Sequence, residues 1–210
     1  MARPALVLFD LDGVLVHYRH VARLQRLAER TGAELDAVSQ ALFGSGLETR
    51  ADLGDCSTQD VVDELRQRLG APVTLDDCLD ARAAAMNVDA DMLALAAQVA
   101  RRARVAILTN NGLMLRDHLP RLCPPLFPLF AGTVHCSAQY RRGKPDPQVF
   151  LDCARDLGVA PGAVYFIDDK PLNAEGARRA GMAAHAFRDA AGLRADLERL
   201  DLLEPTHDTH

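Results

Sequence analysis

One short apolar run, "ALVLFD" (residues 5–10), is followed by about 70 residues whose periodic patterns are all helical. Only after them do strand-like and helical segments alternate. That order leaves few folds open. Strands separated by helical crossovers pair in parallel, which makes the core an α/β sheet with its strands running the same way. Chain that leaves this sheet after the first strand and returns before the second lies over that strand's carboxyl end. In open α/β sheets that is where ligands bind. The expected organisation is an α/β core domain of residues 1–15 and 88–204, a helical cap domain of residues 16–87, and a flexible tail at 205–210.

The helical block has clear punctuation. "RHVARLQRLAERTG" puts Val21, Leu24 and Leu27 at helical spacing and stops at Gly32, and "AELDAVSQALFG" repeats the device to Gly44. "STQDVVDELRQRLG" opens on Ser57 or Thr58 and closes at Gly70, while "TLDDCLDARAAAM" opens on Thr74 with acids in its first turn. Beyond it, a helix at about 89–103 leads into "RVAILTN". Then come "GTVHCS", a helix from Pro145, "AVYFIDD", a helix from Pro171, "MAAHAF" and a helix from about Asp189 to Leu202. Four prolines interrupt "PRLCPPLFPLF", which reads equally as helix or as irregular chain.

The first run ends in Asp10 and Asp12, which face one side if the strand continues, because side chains two apart on a strand share a face. A second run ends in Asp168 and Asp169. Two carboxylates about 4 Å apart repel by about 1 kcal/mol in water and about 4 kcal/mol at an effective dielectric of 20, so such a cluster takes up protons or a cation. An all-oxygen donor set without His or Cys favours a hard ion, Mg²⁺ foremost. Two further segments reach the same edge. "ILTNNG" ends a strand in Thr109 and Asn110, a hydroxyl and an amide suited to an anionic oxygen as well as to an ordinary turn. In "RRGKPDP", Gly143 and two prolines stiffen the loop around Lys144, a point charge for a phosphate or carboxylate. Acids, Thr-Asn, lysine and acids on successive strand ends together describe a phosphoryl site.

Composition narrows the partners. Net charge is −5 with no basic stripe, which argues against nucleic acid. No stretch approaches the ~20 apolar residues of a membrane span, and the N-terminus lacks a secretory pattern. The five cysteines are scattered and form no CxxC pair, which predicts reduced thiols and a cytoplasmic protein.

With these residues in place, the chain resembles the haloacid dehalogenase-like (HAD) hydrolase superfamily. It is especially similar to the small-phosphatase branch of the alpha-glucose-1-phosphate phosphatases and the N-terminal phosphatase domain of soluble epoxide hydrolase. "FDLDGVLV", "ILTNN", "GKPDP" and "FIDDKPLNAEGARRAGM" match the four family motifs in order. The resemblance implies a Rossmann-like parallel sheet with a small helical cap. It also implies a Mg²⁺-dependent phosphomonoesterase acting on a small phosphorylated metabolite, such as a sugar phosphate. Asp10 would be the nucleophile that forms an aspartyl-phosphate, and Asp12 the general acid/base. Thr109, Asn110 and Lys144 would bind substrate. The metal would be held by the Asp10 carboxylate, the Asp12 backbone carbonyl, Asp169 and Asp168, with Asn173 clamping the metal loop. Dehalogenating members lack an acid at the Asp12 position, which sets that chemistry aside. A phosphomutase of the same superfamily and a non-catalytic phospholigand-binding protein are the alternatives, and the chain is expected to be a monomer or homodimer. His17, Tyr18 and His20 are expected as cap-hinge or packing residues, Arg141 and Arg142 on solvated surface, and His185 in a structural role.

Overall fold

The computed structural model describes residues 3–203; the expected tail at 205–210 lies outside them. The chain begins with β1 (Leu6–Phe9) and a short β2 (Val16–Tyr18). The helices α1 (His20–Thr31), α2 (Leu35–Ser39), α3 (Leu47–Asp52), α4 (Thr58–Leu69) and α5 (Leu75–Ala85) follow, then β3 (Met86–Val88). Next come α6 (Ala90–Val99), β4 (Arg104–Thr109), α7 (Leu113–Leu122), β5 (Val134–Cys136), α8 (Ser137–Tyr140) and α9 (Pro147–Asp156). The chain closes with β6 (Val164–Asp168), α10 (Pro171–Arg179), β7 (Ala183–Ala186) and α11 (Ala190–Arg199).

Five strands form one parallel sheet in the order β5-β4-β1-β6-β7. The first strand is central. Its neighbours β4 and β6 carry the chain away in opposite directions, so the carboxyl ends of these three strands flank the crevice where such sheets bind ligands. Strand alternation explains why the runs are apolar throughout. Val7, Phe9, Ile107 and Ile167 join α6, α7 and α11 on one face, while Leu6, Leu8, Leu108 and Phe166 join α9 and α10 on the other. Each such side chain fully buried contributes about 1.5–3 kcal/mol.

The helices between β2 and β3 pack on a cluster of their own, centred on Leu27, Val38, Leu42, Leu47, Val61, Leu65 and Val73. Ser57 and Thr74 each cap a helix through a reciprocal box with Asp60 and Asp77. Several details differ from expectation. The block is entered and left through an antiparallel ribbon, β2 paired with β3, where only helical patterns were expected. Val21 is 59% exposed despite its helical spacing, because the buried side of α1 runs through Arg23 and Leu27 instead. The "AELDAVSQALFG" helix splits into α2 and a π-helical turn at Gln40–Gly44, where a Cβ on Gly44 would run into the Gln40 side chain. The open segment resolves as well: α7 runs through Pro120, and a 3₁₀ turn follows at Pro124–Leu126. No helix among the described residues is long and apolar enough to cross a membrane.

Candidate active site

The carboxyl end of β1 delivers Asp10, which is 5% exposed. Its Oδ1 accepts from the Leu11 backbone N–H at 2.7 Å and meets Lys144 Nζ at 2.8 Å; neither contact uses Oδ2. Lys144 Nζ also reaches Asp168 Oδ2 at 2.6 Å and donates to the Leu108 carbonyl at 3.0 Å. The lysine is thus wedged between two strand-end acids, over the Phe166 ring at 5.3 Å. Burial alone would lower the Lys144 pKa, but Asp10 and Asp168 outweigh it and hold the ammonium charged.

Asp168 is fully buried and well supplied with donors. Asn173 Nδ2 lies 3.0 Å from each of its oxygens, and the Lys170 N–H donates to Oδ1 at 2.8 Å. Asp169 is exposed, with its carboxyl pKa raised by burial of part of the group and by Asp168. Carboxylate oxygens of Asp10, Asp168 and Asp169 all lie within 4.8 Å of one another. Burial pushes Asp10 up to about 7 against the pull of Lys144. Three acids against one lysine leave two uncompensated negative charges when all are ionised. An all-oxygen set with that charge fits a hard divalent cation.

Asp12 points elsewhere. Its Oδ2 accepts from Arg82 Nη2 at 2.8 Å and from Asn111 Nδ2 at 3.2 Å. Its Oδ1 is buried with no hydrogen-bond partner among the described residues. Asn111 donates to Thr109 Oγ1 at 2.7 Å and accepts from Arg82 Nη2 at 2.7 Å, so Thr109, Asn111, Arg82 and Asp12 form one chain of hydrogen bonds. Arg82 comes from α5 in the helical block. Its guanidinium stacks on the Tyr18 ring at 4.4 Å and approaches Glu48, which also takes a two-pronged pair from Arg23. Beside Arg82 and Asn111, a narrow cleft runs between the block and α7, lined also by Arg23, Glu48, Asp52 and apolar side chains. It stops short of Asp10 and Lys144.

The structure therefore brings Asp10, Lys144, Asp168 and Asp169 together, with Asp12 and Thr109 beside them. The Asn110 side-chain amide donates to the Lys144 carbonyl at 2.9 Å and accepts from the Lys144 N–H at 2.9 Å, so it ties the turn after β4 to the lysine loop. Its neighbour Asn111 takes the inward place. Arg82 and Asn111 were missed as site residues. Asn111 stood in the same Thr-Asn-Asn turn, and Arg82 is the one basic residue of α5, set among alanines. Of the residues expected at the periphery, His17 pairs with Asp89 at 3.1 Å, Arg141 with Asp55 at 2.7 Å and His185 with Asp196 at 2.7 Å.

The family model of haloacid dehalogenase-like hydrolases matches residues 4–181. A protein named Phosphatase MT3486, from Mycobacterium tuberculosis, is 30% identical over 90% of this chain and 89% of its own length. Validoxylamine A 7'-phosphate phosphatase of Streptomyces hygroscopicus is 30% identical over 95% of this chain and 94% of its own. Flavin mononucleotide hydrolase 1 of Arabidopsis thaliana is 39% identical, but over only 32% of this chain and 27% of that protein. A HAD family enzyme of Bacteroides thetaiotaomicron, crystallised with magnesium and inorganic phosphate, shares the fold. Its TM-score is 0.74 at 19% identity, over 90% of this chain and 98% of that one.

Proposed function

The chain belongs to the haloacid dehalogenase-like hydrolases, and from that premise we propose that it is a Mg²⁺-dependent phosphomonoesterase working through an aspartyl-phosphate on Asp10. One observation carries the reading: Asp10 has one oxygen tied to Lys144 and Leu11 and the other left out of those bonds, at the centre of an acid cluster that suits a divalent cation. A carboxylate so held is oriented for attack and has charge partners for an incoming phosphoryl group.

In the first step an Asp10 oxygen forms a bond to phosphorus as the phosphorus–oxygen bond to the leaving alcohol breaks. Asp12 gives that alkoxide its proton. In the second step Asp12 takes a proton from water, whose oxygen bonds to phosphorus as the Asp10–phosphorus bond breaks. Asp10 returns to a carboxylate and inorganic phosphate leaves. Lys144 holds Asp10 and adds positive charge for the phosphoryl oxygens, and Thr109 adds a hydroxyl. Asp10, Asp168 and Asp169, with the Asp12 carbonyl, would hold the metal, which when bound supplies positive charge for the transferring phosphoryl group. Lys144 and Asn173 orient Asp168 beside it.

On this reading residues 16–87 are a cap over a core of 1–15 and 88–204, and the β2–β3 ribbon is its stalk. The substrate is a small phosphorylated metabolite whose alcohol part lies in the cleft under the cap. That cleft offers Arg82, Arg23 and Asn111 as donors and Glu48 and Asp52 as acceptors, with its arginines already paired to acids. Such a lining suits the hydroxyls of a sugar better than a second phosphate. The scattered thiols fit a cytoplasmic setting.

The test is phosphate release from phosphorylated sugars, nucleotides and glycolytic acids, run with Mg²⁺, with EDTA and with Asp10→Asn. Release that needs the metal and is lost in the variant is expected. A folded protein that moves phosphate within a sugar, or releases none, overturns the hydrolytic reading.

A further inference from the structure

Arg82 is an unusual residue to find in a helix of the cap. It is only 7% exposed, yet a buried guanidinium is costly unless its hydrogen bonds are well met. Here they are divided between the core and the helical block, with the two shortest going to the core. Nη2 donates to both Asp12 Oδ2 (2.8 Å) and the Asn111 amide oxygen (2.7 Å), while Nη1 faces the Tyr18 hydroxyl at 3.4 Å and Glu48 at 3.5 Å. The Tyr18 ring backs the guanidinium plane. Nε is buried with no partner among the described residues. The group is braced from behind and directed at one oxygen of Asp12.

We infer that Arg82 is a positioning residue for the acid/base Asp12, supplied by the cap, so that proton transfer to the leaving group requires the cap to be seated. The inference rests on the phosphomonoesterase reading above. Asp12 follows β1 by three residues, in a loop where the chain turns at Gly13, and nothing on its own segment holds its carboxylate. Arg82 and Asn111 occupy Oδ2 and so fix the rotation of the group. That leaves Oδ1, buried and without a partner, as the oxygen that meets the leaving-group oxygen. Asn111 comes from the core and Arg82 from the cap, so full alignment of Asp12 needs both. A planar guanidinium backed by a ring also resists the rotation that a flexible lysine would allow.

A role through Asp12 differs from a merely structural one in its dependence on the leaving group. An alkoxide needs a proton as it departs, whereas a nitrophenolate leaves without one. The experiment compares kcat/KM, which reports the steps through leaving-group departure, for an alkyl ester (2-glycerophosphate or the fastest sugar phosphate of the panel) and for p-nitrophenyl phosphate. Wild type, Arg82→Gln and Arg82→Lys are measured with saturating Mg²⁺. General acid catalysis is typically worth 10²–10⁴-fold, so Arg82→Gln is expected to lower the alkyl value by about 10–100-fold, and the nitrophenyl value by about 3-fold or less. Arg82→Lys should recover part of the alkyl loss.

Equal loss on both esters, or no loss on either, overturns the inference while leaving the phosphatase reading intact. Wild-type protein that hydrolyses neither ester overturns that reading and this inference with it. If Arg82→Gln melts too low to assay, Tyr18→Phe removes a hydroxyl behind the guanidinium without removing a charge. It should show the same selective loss in smaller measure, and equal loss on the two esters overturns the inference there too.

Discussion

At the scale of single residues, the site depends on how closely unlike groups are brought together. Gly13 has φ +90°, which favours glycine, and a Cβ there would lie 2.7 Å from an Asp169 carboxylate oxygen and so displace that acid. The missing side chain is what lets the loop after β1 lie against the acid delivered by β6. In the cleft, Asp52 ends α3 half-buried. Burial and the neighbouring Glu48 push its carboxyl up to about 7, against the opposing pull of Arg82 and Arg23. The folded chain therefore keeps a proton that the unfolded chain, near its ordinary value of 3.8, has released. Stability contributed by Asp52 is fully present below about pH 4 and is lost as pH rises through about 7. Relative to Asp52→Asn, the wild type is thus expected to lose stability between pH 5 and pH 8. Urea midpoints for the two proteins, measured in EDTA, read this directly. A gap that stays constant or moves the other way would show that Asp52 is ionised in the folded chain.

At the scale of elements, α10 and the Lys144 loop show how packing outranks propensity. Alanine is the better helix former by about 1 kcal/mol, so Gly176→Ala in the middle of α10 should stabilise on intrinsic grounds. A Cβ on Gly176 would however lie 2.3 Å from the Pro145 carbonyl oxygen, in the loop that carries Lys144. The expected result is a loss of about 1–3 kcal/mol from overpacking, with phosphate release reduced because the lysine loop shifts. A higher melting temperature would show that the two elements have room to part. The elements themselves were legible where length and pattern were sufficient. The central strands β1, β4 and β6 were foreseen because they are buried on both faces and read as apolar runs bounded by helices, whereas the edge strands β5 and β7, less buried and each carrying a histidine, were legible from their place between helical patterns. Strands β2 and β3 were not, since three residues are too few to show an alternation and each abuts a helical pattern. Helix α3 was missed because it is only six residues long and begins after Gly46 in the left-handed region. Val21 misled because helical spacing shows that a face exists without showing which side faces inward.

At the scale of the whole molecule, the candidate site is assembled from distant parts of the chain. Asp10, Thr109 and Asp168 were readable because each closes a strand of one sheet, and parallel strands bring their carboxyl ends to a common edge. Lys144 was readable from its stiff loop. The contacts that orient Asp12 were not, because Arg82 lies 70 residues away and Asn111 lies 99 away, in side-chain pairings that no local pattern records. Asn110 and Asn111 illustrate the same limit at close range. One faces the lysine loop and the other faces Asp12, a choice made by the turn after β4 and not by residue type.

If Asp10 is the nucleophile, it becomes covalently phosphorylated during turnover. The most direct measurement is rapid acid quench of the enzyme during turnover of p-nitrophenyl phosphate with Mg²⁺, followed by mass spectrometry of its peptides. One phosphoryl group is expected on the peptide that contains Asp10, present during turnover and absent from Asp10→Asn. Steady phosphate release with the label on another residue, or release retained by Asp10→Asn, would contradict that role for Asp10.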